Sequence, residues 1–556
     1  MRSIWFWGFS LSVVLTAWWI ATGHRHEAAK PRPAMSTPAR SVARVNLVDE
    51  YQGEPGDLSS IRTDLKTTPT QLRIHSMMDA PQSATLTVAI SQSNLYLQAA
   101  PTNGSLEQNT LVTRIDDQHY RVDVRVADGL GEGTYHGYLQ LQACVDAGCN
   151  DPVTGGKAYV AYQIEVQDPA HATLGEWETF QRDAGHSGYV PARFLPRSFA
   201  YKWEWRRPTT GTLGFINAVT TAPGLVFVSD DEYSGSPVLR TLRESDGSLV
   251  WQQPFANYPA LSPPASANNK VYVATTGHQQ TFLWAFNAQN GMAVFQNSFA
   301  SQWSHLLSPT VRDGRVFTNG GYYGGGVYAY DDTLGDLQWS MFSGDDDMTT
   351  PAVDASRVYY YDGTGLVTYD TATGAKLSST PDPYSPAQGY SHHGAPMLGL
   401  PDSVTTFSGG AFSGRASSSV EQYDTRPLIN FSVAGNTTRW RTTRKYMTQP
   451  ATAKGIVYAG SNAPKSFDAI DEATGKILWS WVPQPPDTEF HRNVVVTDNL
   501  AFVSTNLAVY AIDLTTHEAV WRYPAPGMLS ISGGGTLYIV EGAREPTGRL
   551  IAIALK

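Results

Sequence analysis

Cysteine and charge are both scarce in this sequence. Two of its 556 residues are cysteines, and charged residues make up 16% of the chain. Long Lys/Arg clusters are absent, which argues against nucleic-acid binding. The net charge of −10 is typical of a solvated surface and identifies no partner. GxSxG, HExxH, P-loop and CxxCH motifs are also missing, so serine-hydrolase, zinc-protease, nucleotidase and c-type haem functions have no support.

The two cysteines stand close together in "ACVDAGCNDP". In an exported protein, Cys144 and Cys149 are expected to form a disulfide across a tight loop. A zinc site is the weaker alternative because two thiolates lack the further ligands that zinc requires. A redox dithiol normally has a two-residue spacer, which this pair does not have.

The N-terminus contains the longest apolar segment. Residues 4–21 are uncharged, which makes them long for the apolar part of a signal peptide and short for a membrane span. Residues 1–23 are therefore a signal peptide or a signal anchor, and either one exports the rest of the chain. No lipobox cysteine or twin-arginine pair is present. We expect a periplasmic or cell-envelope protein that contacts the membrane only through this possible anchor, followed by a Pro/Ala-rich linker at 24–44.

Abundant glycine (49), tyrosine (28) and tryptophan (15) favour short strands and turns. Residues 45–167 contain alternating segments such as "SATLTVAIS" and "YRVDVRVA", which predict a two-sheet β-sandwich. It resembles immunoglobulin-like modules, and its expected task is spacing or contact. A non-repetitive connector at 168–197 follows.

A repeat of about 40 residues occupies 198–556. A turn followed by an aromatic residue recurs in "SDGSLVW" (245–251), "QNGMAVF" (289–295), "TLGDLQW" (333–339), "ATGAKL" (372–377), "AGNTTRW" (434–440), "ATGKILW" (473–479) and "TTHEAVW" (515–521). Paired strands such as "PATAKGIVYAGS" recur in step with it, which gives four strands per unit. The last unit lacks its fourth strand, and "FAYKWEWRR" at 199–207 can supply it. The pattern predicts an all-β, eight-bladed β-propeller, because a closed ring leaves no end unit with an exposed face.

The "A-x-x-x-x-x-G-x-x-x-W" rhythm in "AIDEATGKILW" (469–479) and, without the glycine, in "AIDLTTHEAVW" (511–521) resembles the pyrroloquinoline-quinone (PQQ) propeller superfamily. The lead-in "FQRDAGHSGYVP" is similar as well. The resemblance covers about residues 176–556 and implies the fold rather than one activity, because the superfamily includes quinoprotein dehydrogenases and non-enzymatic relatives such as BamB. Turn glycines are expected at positive φ, and the tryptophans are expected to pack between blades.

The loops before the innermost strands supply the candidate ligands of an axial site. The candidates are His305, Asp347, His392, His393, Tyr446, His491 and Arg492, with Trp303 as a possible floor for a quinone. If they converge on the axis, they bind a metal or an anionic group; the alternative is that they are independent loop residues. Acidic clusters at 229–235 and 343–350 do not match a calcium loop and are interpreted as solvated turns.

These patterns predict a non-enzymatic, monomeric envelope scaffold that binds a protein or peptide, with no catalytic residue and no cofactor. One alternative is a periplasmic alcohol or sugar dehydrogenase that uses PQQ with calcium. Its relatives often carry a disulfide of adjacent cysteines beside the quinone, and this propeller has no cysteine. The other alternative is a carbohydrate-binding propeller.

Overall fold

A computed structural model describes residues 64–78, 81–167, 174–208, 215–231, 236–277, 281–301, 307–321, 325–342, 349–384, 395–409, 426–541 and 548–556. The predicted signal segment and linker lie outside these ranges, and the predicted domain boundaries stay a prediction. Among the described residues, no helix has the length and apolar character needed to cross a membrane.

The first eight strands form two four-stranded sheets around one apolar core. The sheet orders are β1-β3-β6-β5 and β2-β8-β7-β4, and the sandwich is therefore present, while its immunoglobulin-like character stays a prediction. Its strands are β1 (Leu65–Thr68), β2 (Gln71–Met77), β3 (Ser83–Ile90), β4 (Tyr96–Pro101), β5 (Leu111–Arg114), β6 (His119–Arg125), β7 (Gly133–Cys144) and β8 (Pro152–Gln167).

The predicted disulfide is confirmed. Cys144 ends β7 and bonds to Cys149 in the loop that leads into β8. The bond closes a short loop at the end of the longest hairpin in the sandwich. We infer that it makes this corner rigid.

In the described ranges eight further sheets follow, five with four strands and three with five, which we call blades 1 to 8. A short strand, β9 (Tyr189–Val190), and a 3-10 helix at Pro196–Ser198 precede them, together with β10 (Ala200–Arg206). Blade 1 contains β11 (Phe215–Ile216), β12 (Thr220–Ala222), β13 (Leu225–Asp231), β14 (Val238–Arg243) and β15 (Leu249–Pro254). Blade 2 contains β16 (Ala260–Leu261), β17 (Ala265–Ala267), β18 (Lys270–Thr276), β19 (Phe282–Asn287) and β20 (Ala293–Ser298).

Blades 3 to 5 repeat this arrangement with one innermost strand each. Blade 3 contains β21 (Thr310–Arg312), β22 (Arg315–Gly320), β23 (Gly326–Asp331) and β24 (Leu337–Met341). Blade 4 contains β25 (Ala352–Val353), β26 (Arg357–Tyr361), β27 (Gly365–Asp370) and β28 (Lys376–Pro381). Blade 5 contains β29 (Met397–Leu398), β30 (Ser403–Phe407), β31 (Arg426–Ser432) and β32 (Thr437–Tyr446).

Blades 6 to 8 complete the series. Blade 6 contains β33 (Ala451–Ala453), β34 (Ile456–Asn462), β35 (Lys465–Asp471) and β36 (Ile477–Trp481). Blade 7 contains β37 (Phe490–Thr497), β38 (Leu500–Thr505), β39 (Val509–Asp513) and β40 (Ala519–Tyr523). Blade 8 contains β41 (Met528–Ile531), β42 (Thr536–Glu541) and β43 (Arg549–Ala554), and β10 pairs with β43 as its fourth strand. The predicted closure by residues 199–207 is therefore confirmed.

Four tryptophans each join the blade that carries them to the next blade. The indole Nε1 of Trp440 in blade 5 donates to the Glu472 carbonyl of blade 6 over 2.8 Å. Its ring lies under Gly475, where an added Cβ would be 2.7 Å from the indole, and Gly475 has φ +72°. The same bond links Trp203 to blade 1, Trp251 to blade 2 and Trp339 to blade 4. The predicted structural role of the turn glycine and the tryptophan is confirmed at these positions.

Candidate functional site

The connector before blade 1 lies at the centre of the ring. Between residues 176 and 188 it forms a hydrogen bond with the innermost part of every blade. In order from blade 1 to blade 8 the bonded pairs are Trp177 with Thr221, Glu178 with Ser266, Thr179 with Pro309, Ala184 with Val353, Gly185 with Leu398, Ser187 with Thr452, Gly188 with Val496 and Glu176 with Gly533. Residues 177 to 188 bond to blades 1 to 7 in the order of the chain, and Glu176, just before them, bonds to blade 8. The connector therefore makes almost one full circuit of the axis.

Backbone conformation allows this tight circuit. Gln181, Arg182 and His186 have φ of 51°, 84° and 58°, in the left-handed region that non-glycine residues rarely occupy. Gly188 also has positive φ, and an added Cβ there would lie 2.8 Å from Ala451. Such unfavourable conformations persist only where surrounding contacts hold them. The eight blades supply those contacts here.

Two amides join the connector to blades 6, 7 and 8. Gln181 Nε2 donates to the carbonyl oxygens of Pro450 and Val494 over 2.9 and 3.1 Å. Its Oε1 accepts a 2.7 Å bond from Asn493 Nδ2. Asn493 in turn exchanges two hydrogen bonds with the backbone of Leu529 in blade 8. All of these side chains are buried, so their polar groups satisfy one another without solvent.

His186 is the fully buried titratable group of the connector. Its Nδ1 lies 2.9 Å from the Pro396 carbonyl of blade 5, and its Nε2 lies 3.1 Å from the Thr310 hydroxyl of blade 3. Because a carbonyl only accepts, Nδ1 carries the proton of the neutral ring. Burial lowers the pKa of His186 from 6.5 to about 4, although the Pro396 bond and the Asp183 carboxylate oppose that shift. The imidazole is therefore neutral at physiological pH.

This depressed pKa predicts acid sensitivity. The unfolded chain protonates His186 below pH 6.5, whereas the folded chain resists protonation until about pH 4. The contribution of neutral His186 to stability is therefore fully present above the unfolded pKa and is lost as the pH drops through this window. The free energy of unfolding should fall by about 2 kcal/mol between about pH 7 and pH 5. Urea unfolding of the wild type and His186→Asn at both pH values measures the effect, and the variant should lose less stability on acidification. Equal losses in the two proteins would contradict it.

Only three of the predicted axial residues lie in the described ranges. Tyr446 donates a 2.9 Å bond to Asp468, and burial raises the pKa of its phenol. His491 Nε2 lies 3.1 Å from Glu489 Oε2, and the Arg492 carbonyl accepts from the Gln449 amide. The side chains of Tyr446 and His491 thus have different partners. Trp303, His305, Asp347, His392 and His393 lie outside the described residues, so their convergence on the axis stays a prediction.

Buried aspartates between neighbouring blades are a feature that the sequence patterns did not reveal. Asp468 in blade 6 is fully buried and binds Arg444 Nη1 of blade 5 at 2.6 Å. It also accepts bonds from Tyr446 of blade 5 and from Ser480 of its own blade. A charge-assisted bond in a low-dielectric setting is stronger than its equivalent in water. Asp468 therefore fastens blade 5 to blade 6.

A second buried aspartate, Asp487, fastens the loop between blades 6 and 7 to blade 7. Asp487 is buried in the loop that leaves blade 6 and accepts from Thr505 and Tyr510 over 2.8 and 2.7 Å. Arg522 Nη2 lies 3.3 Å from its other oxygen. Asp382 has the same role before blade 5, where Tyr361 and Ser408 donate to it. No short motif marks these residues, because their partners lie on different strands.

In the described part of the chain, several groups of the kind that hold a quinone and its metal ion already have other partners. The two cysteines of the chain bond to each other in the sandwich, and the buried aspartates of the crossovers bind Arg, Tyr, Ser and Thr side chains. Within the described ranges, no group of three or more His, Cys, Asp or Glu side chains is placed to hold a metal. The site chemistry found here is a polar centre built from amides and hydroxyls.

Comparison with known proteins adds three findings. A family model described as outer membrane protein assembly factor BamB matches residues 234–481 and 364–530. The chain is 20% identical over 386 residues to the tetrathionate hydrolase of Acidithiobacillus ferrooxidans. This alignment covers 60% of this chain and 72% of that protein. The family match lies within the residues that carry the repeat and agrees with the propeller class.

Two solved structures are similar in part. BamB from Moraxella catarrhalis is 16% identical with a TM-score of 0.47, over 64% of this chain and 98% of that chain. Quinohemoprotein alcohol dehydrogenase from Comamonas testosteroni is 13% identical with a TM-score of 0.49, over 68% of this chain and 80% of that chain.

Proposed function

The chain belongs to the PQQ-like β-propeller superfamily, and from that premise we propose that it is a non-enzymatic scaffold of the cell envelope. Its partner is a protein or peptide that binds the outer strands of the blades. The proposal includes export by residues 1–23 and a periplasmic or envelope location. The family description, outer membrane protein assembly factor BamB, supports an envelope role for this fold.

The outer strands carry the observation that supports binding. Seven of the eight blades present a large apolar side chain, 42–58% exposed, on the described part of the outermost strand. These residues are Tyr201, Leu249, Val294, Leu337, Leu377, Leu478 and Val520. One such residue on a surface is ordinary, but an exposed apolar side chain on the outermost strand of seven blades is suited to an added peptide strand.

Substitutions on two neighbouring blades test the proposal. We expect Leu478→Lys/Val520→Lys to reduce cross-linking of an envelope partner by about tenfold or more, because a charge placed at an apolar contact must be desolvated. The measurement is quantitative cross-linking in envelope fractions with the full-length chain. Leu111→Lys/Ile115→Lys is the matched control, since these sandwich residues are 60% and 59% exposed. Equal cross-linking by the outer-strand variant and this control would refute the proposal.

Hydrolysis of an oxidised sulfur anion is a second candidate. The similarity to a tetrathionate hydrolase over 60% of this chain favours it. Purified protein is incubated with tetrathionate under acidic and neutral conditions, and separately with PQQ, calcium, an alcohol and a dye. The scaffold proposal expects no turnover above the protein-free rate in either assay. Tetrathionate loss that scales with protein concentration would replace the scaffold proposal with the hydrolase.

A further inference from the structure

One outward face of the sandwich combines aromatic rings with side-chain amides. It belongs to the sheet β2-β8-β7-β4, whose inward residues, such as Leu139 and Leu141, are fully buried. Alternate residues of the same strands point outward. We call these the tyrosine–glutamine face, which consists of Tyr138, Tyr159, Gln98, Gln140, Gln142 and Gln163. The sequence patterns assigned only spacing or contact to this module.

Strand register places these side chains side by side. Gln140 of β7 pairs directly with Tyr159 of β8, and Gln98 of β4 pairs with Gln142 of β7. The rings of Tyr138 and Tyr159 have centroids 6.3 Å apart and meet edge to face at 83°. The two tyrosines are 54% and 53% exposed, so both rings offer surface to a ligand, and Lys157 Nζ lies 5.4 Å from the centroid of the Tyr159 ring.

Three of the four amides are held in place by their nitrogen atoms, whereas Gln140 Oε1 accepts from the Tyr159 hydroxyl over 3.5 Å. Gln98 Nε2 donates to the Gly148 carbonyl over 3.3 Å, and Gln142 Nε2 donates to the Ala143 carbonyl over 2.9 Å. Gln163 Nε2 donates to Glu165 over 3.1 Å. An amide oxygen has two lone pairs, so these bonds leave acceptors for hydroxyl groups on the exposed side of the sheet.

The charge of the face selects among ligand classes. Its two tyrosines and four glutamines are uncharged. Among the neighbouring side chains, Arg73 and Lys157 are cationic, and Glu165, which lies 3.0 Å from His75 Nδ1, is anionic. A nucleic acid requires a basic surface, and a stable protein interface has a closely packed apolar centre. A hydroxylated, uncharged chain matches the face better: its C–H groups pack on the negative face of a tyrosine ring, while its hydroxyls bond to the amides.

We propose that the tyrosine–glutamine face binds a neutral polysaccharide. The two tyrosine rings carry successive sugar units, and the glutamine amides position their hydroxyl groups. This site lies in the sandwich, so the proposal does not depend on the function of the propeller.

Affinity electrophoresis of the full-length chain tests the proposal. The probes are hydroxyethyl cellulose, laminarin and soluble starch in the gel, with co-sedimentation on amorphous cellulose as a second readout. We expect the wild type to be retarded by at least one of the three, and Tyr138→Ala/Tyr159→Ala to bind about tenfold more weakly or worse, as loss of a central aromatic contact does at other interfaces. Gln140→Leu should also weaken binding while keeping the side-chain volume.

Tyr384→Ala is the matched control, because Tyr384 is 56% exposed and lies in the propeller, outside both proposed binding surfaces. It should bind as the wild type does, and the far-UV circular dichroism of all variants should coincide. The proposal is overturned if the wild type binds none of the probes, or if the double tyrosine variant binds as tightly as Tyr384→Ala. Dimerisation of the wild type that the double tyrosine variant abolishes would overturn it too, since the face would then bind a second copy.

Discussion

Asp468→Asn is expected to lower the free energy of unfolding by about 3 kcal/mol, because it leaves the Arg444 guanidinium without its carboxylate between blades 5 and 6. Asp468 is fully buried, while the Arg444 side chain is 26% exposed. Water therefore compensates part of the loss at Arg444, which places the effect at the lower end for broken buried ion pairs. The Tyr446 and Ser480 hydroxyls also lose a charged acceptor. Urea unfolding monitored by tryptophan fluorescence measures the change.

Asp471→Asn is the control in the same strand. Asp471 accepts from the Thr474 amide in an exposed turn, and asparagine keeps that acceptor. We expect a change of less than about 0.5 kcal/mol there. The double variant Asp468→Asn/Arg444→Met should recover part of the loss, because it removes the unpaired charge as well. If Asp468→Asn is no more destabilising than Asp471→Asn, the pair does not fasten the two blades.

Gly475→Ala is expected to cost about 3 kcal/mol, which combines left-handed strain with a collision against the tryptophan of the preceding blade. Gly475 has φ +72°, and the added Cβ would lie 2.7 Å from the Trp440 ring. Gly224→Ala separates the two causes, because Gly224 has φ +74° and no atom within 4 Å of an added Cβ. That control should lose only about 1 kcal/mol.

The unfolding free energies of Gly475→Ala and Gly224→Ala can contradict this prediction. Thermal and urea unfolding of both variants should give a difference of about 2 kcal/mol, which is the part due to Trp440. Equal destabilisation would mean that Trp440 moves aside without cost. Trp440→Ala combined with Gly475→Ala gives a further check, since the collision is absent in that background.

Local sequence patterns were sufficient for the blades. The alternation in "KSFDAID", the positive-φ glycine at 475 and the aromatic residue at 479 lie within fifteen residues. Strand pairing and turn conformation depend on such near neighbours, so each blade can be predicted from its own stretch of sequence. The disulfide was predictable for the same reason, because Cys144 and Cys149 stand on one hairpin loop.

The candidate site was predicted only in part. Tyr446 was selected by its distance from an innermost strand, and the structure instead directs its hydroxyl to Asp468. Asp468 itself stands in a repeat strand like those of other blades, so no local pattern distinguished it. Its role arises from Arg444, which belongs to the neighbouring blade. Pairs across blades depend on how the sheets pack, and hydrophobic periodicity contains no information on that packing.

The sequence by itself determined the repeated four-stranded pattern, the strand that pairs with the last blade and the position of the disulfide, because these follow from short-range patterning. Only the tertiary structure decided what the connector does. Gln181 meets Val494 across 313 residues of chain, and His186 meets Pro396 across 210. Contacts at such separations depend on how the blades are arranged around the axis, since the eight inner strands together create the centre in which the connector lies.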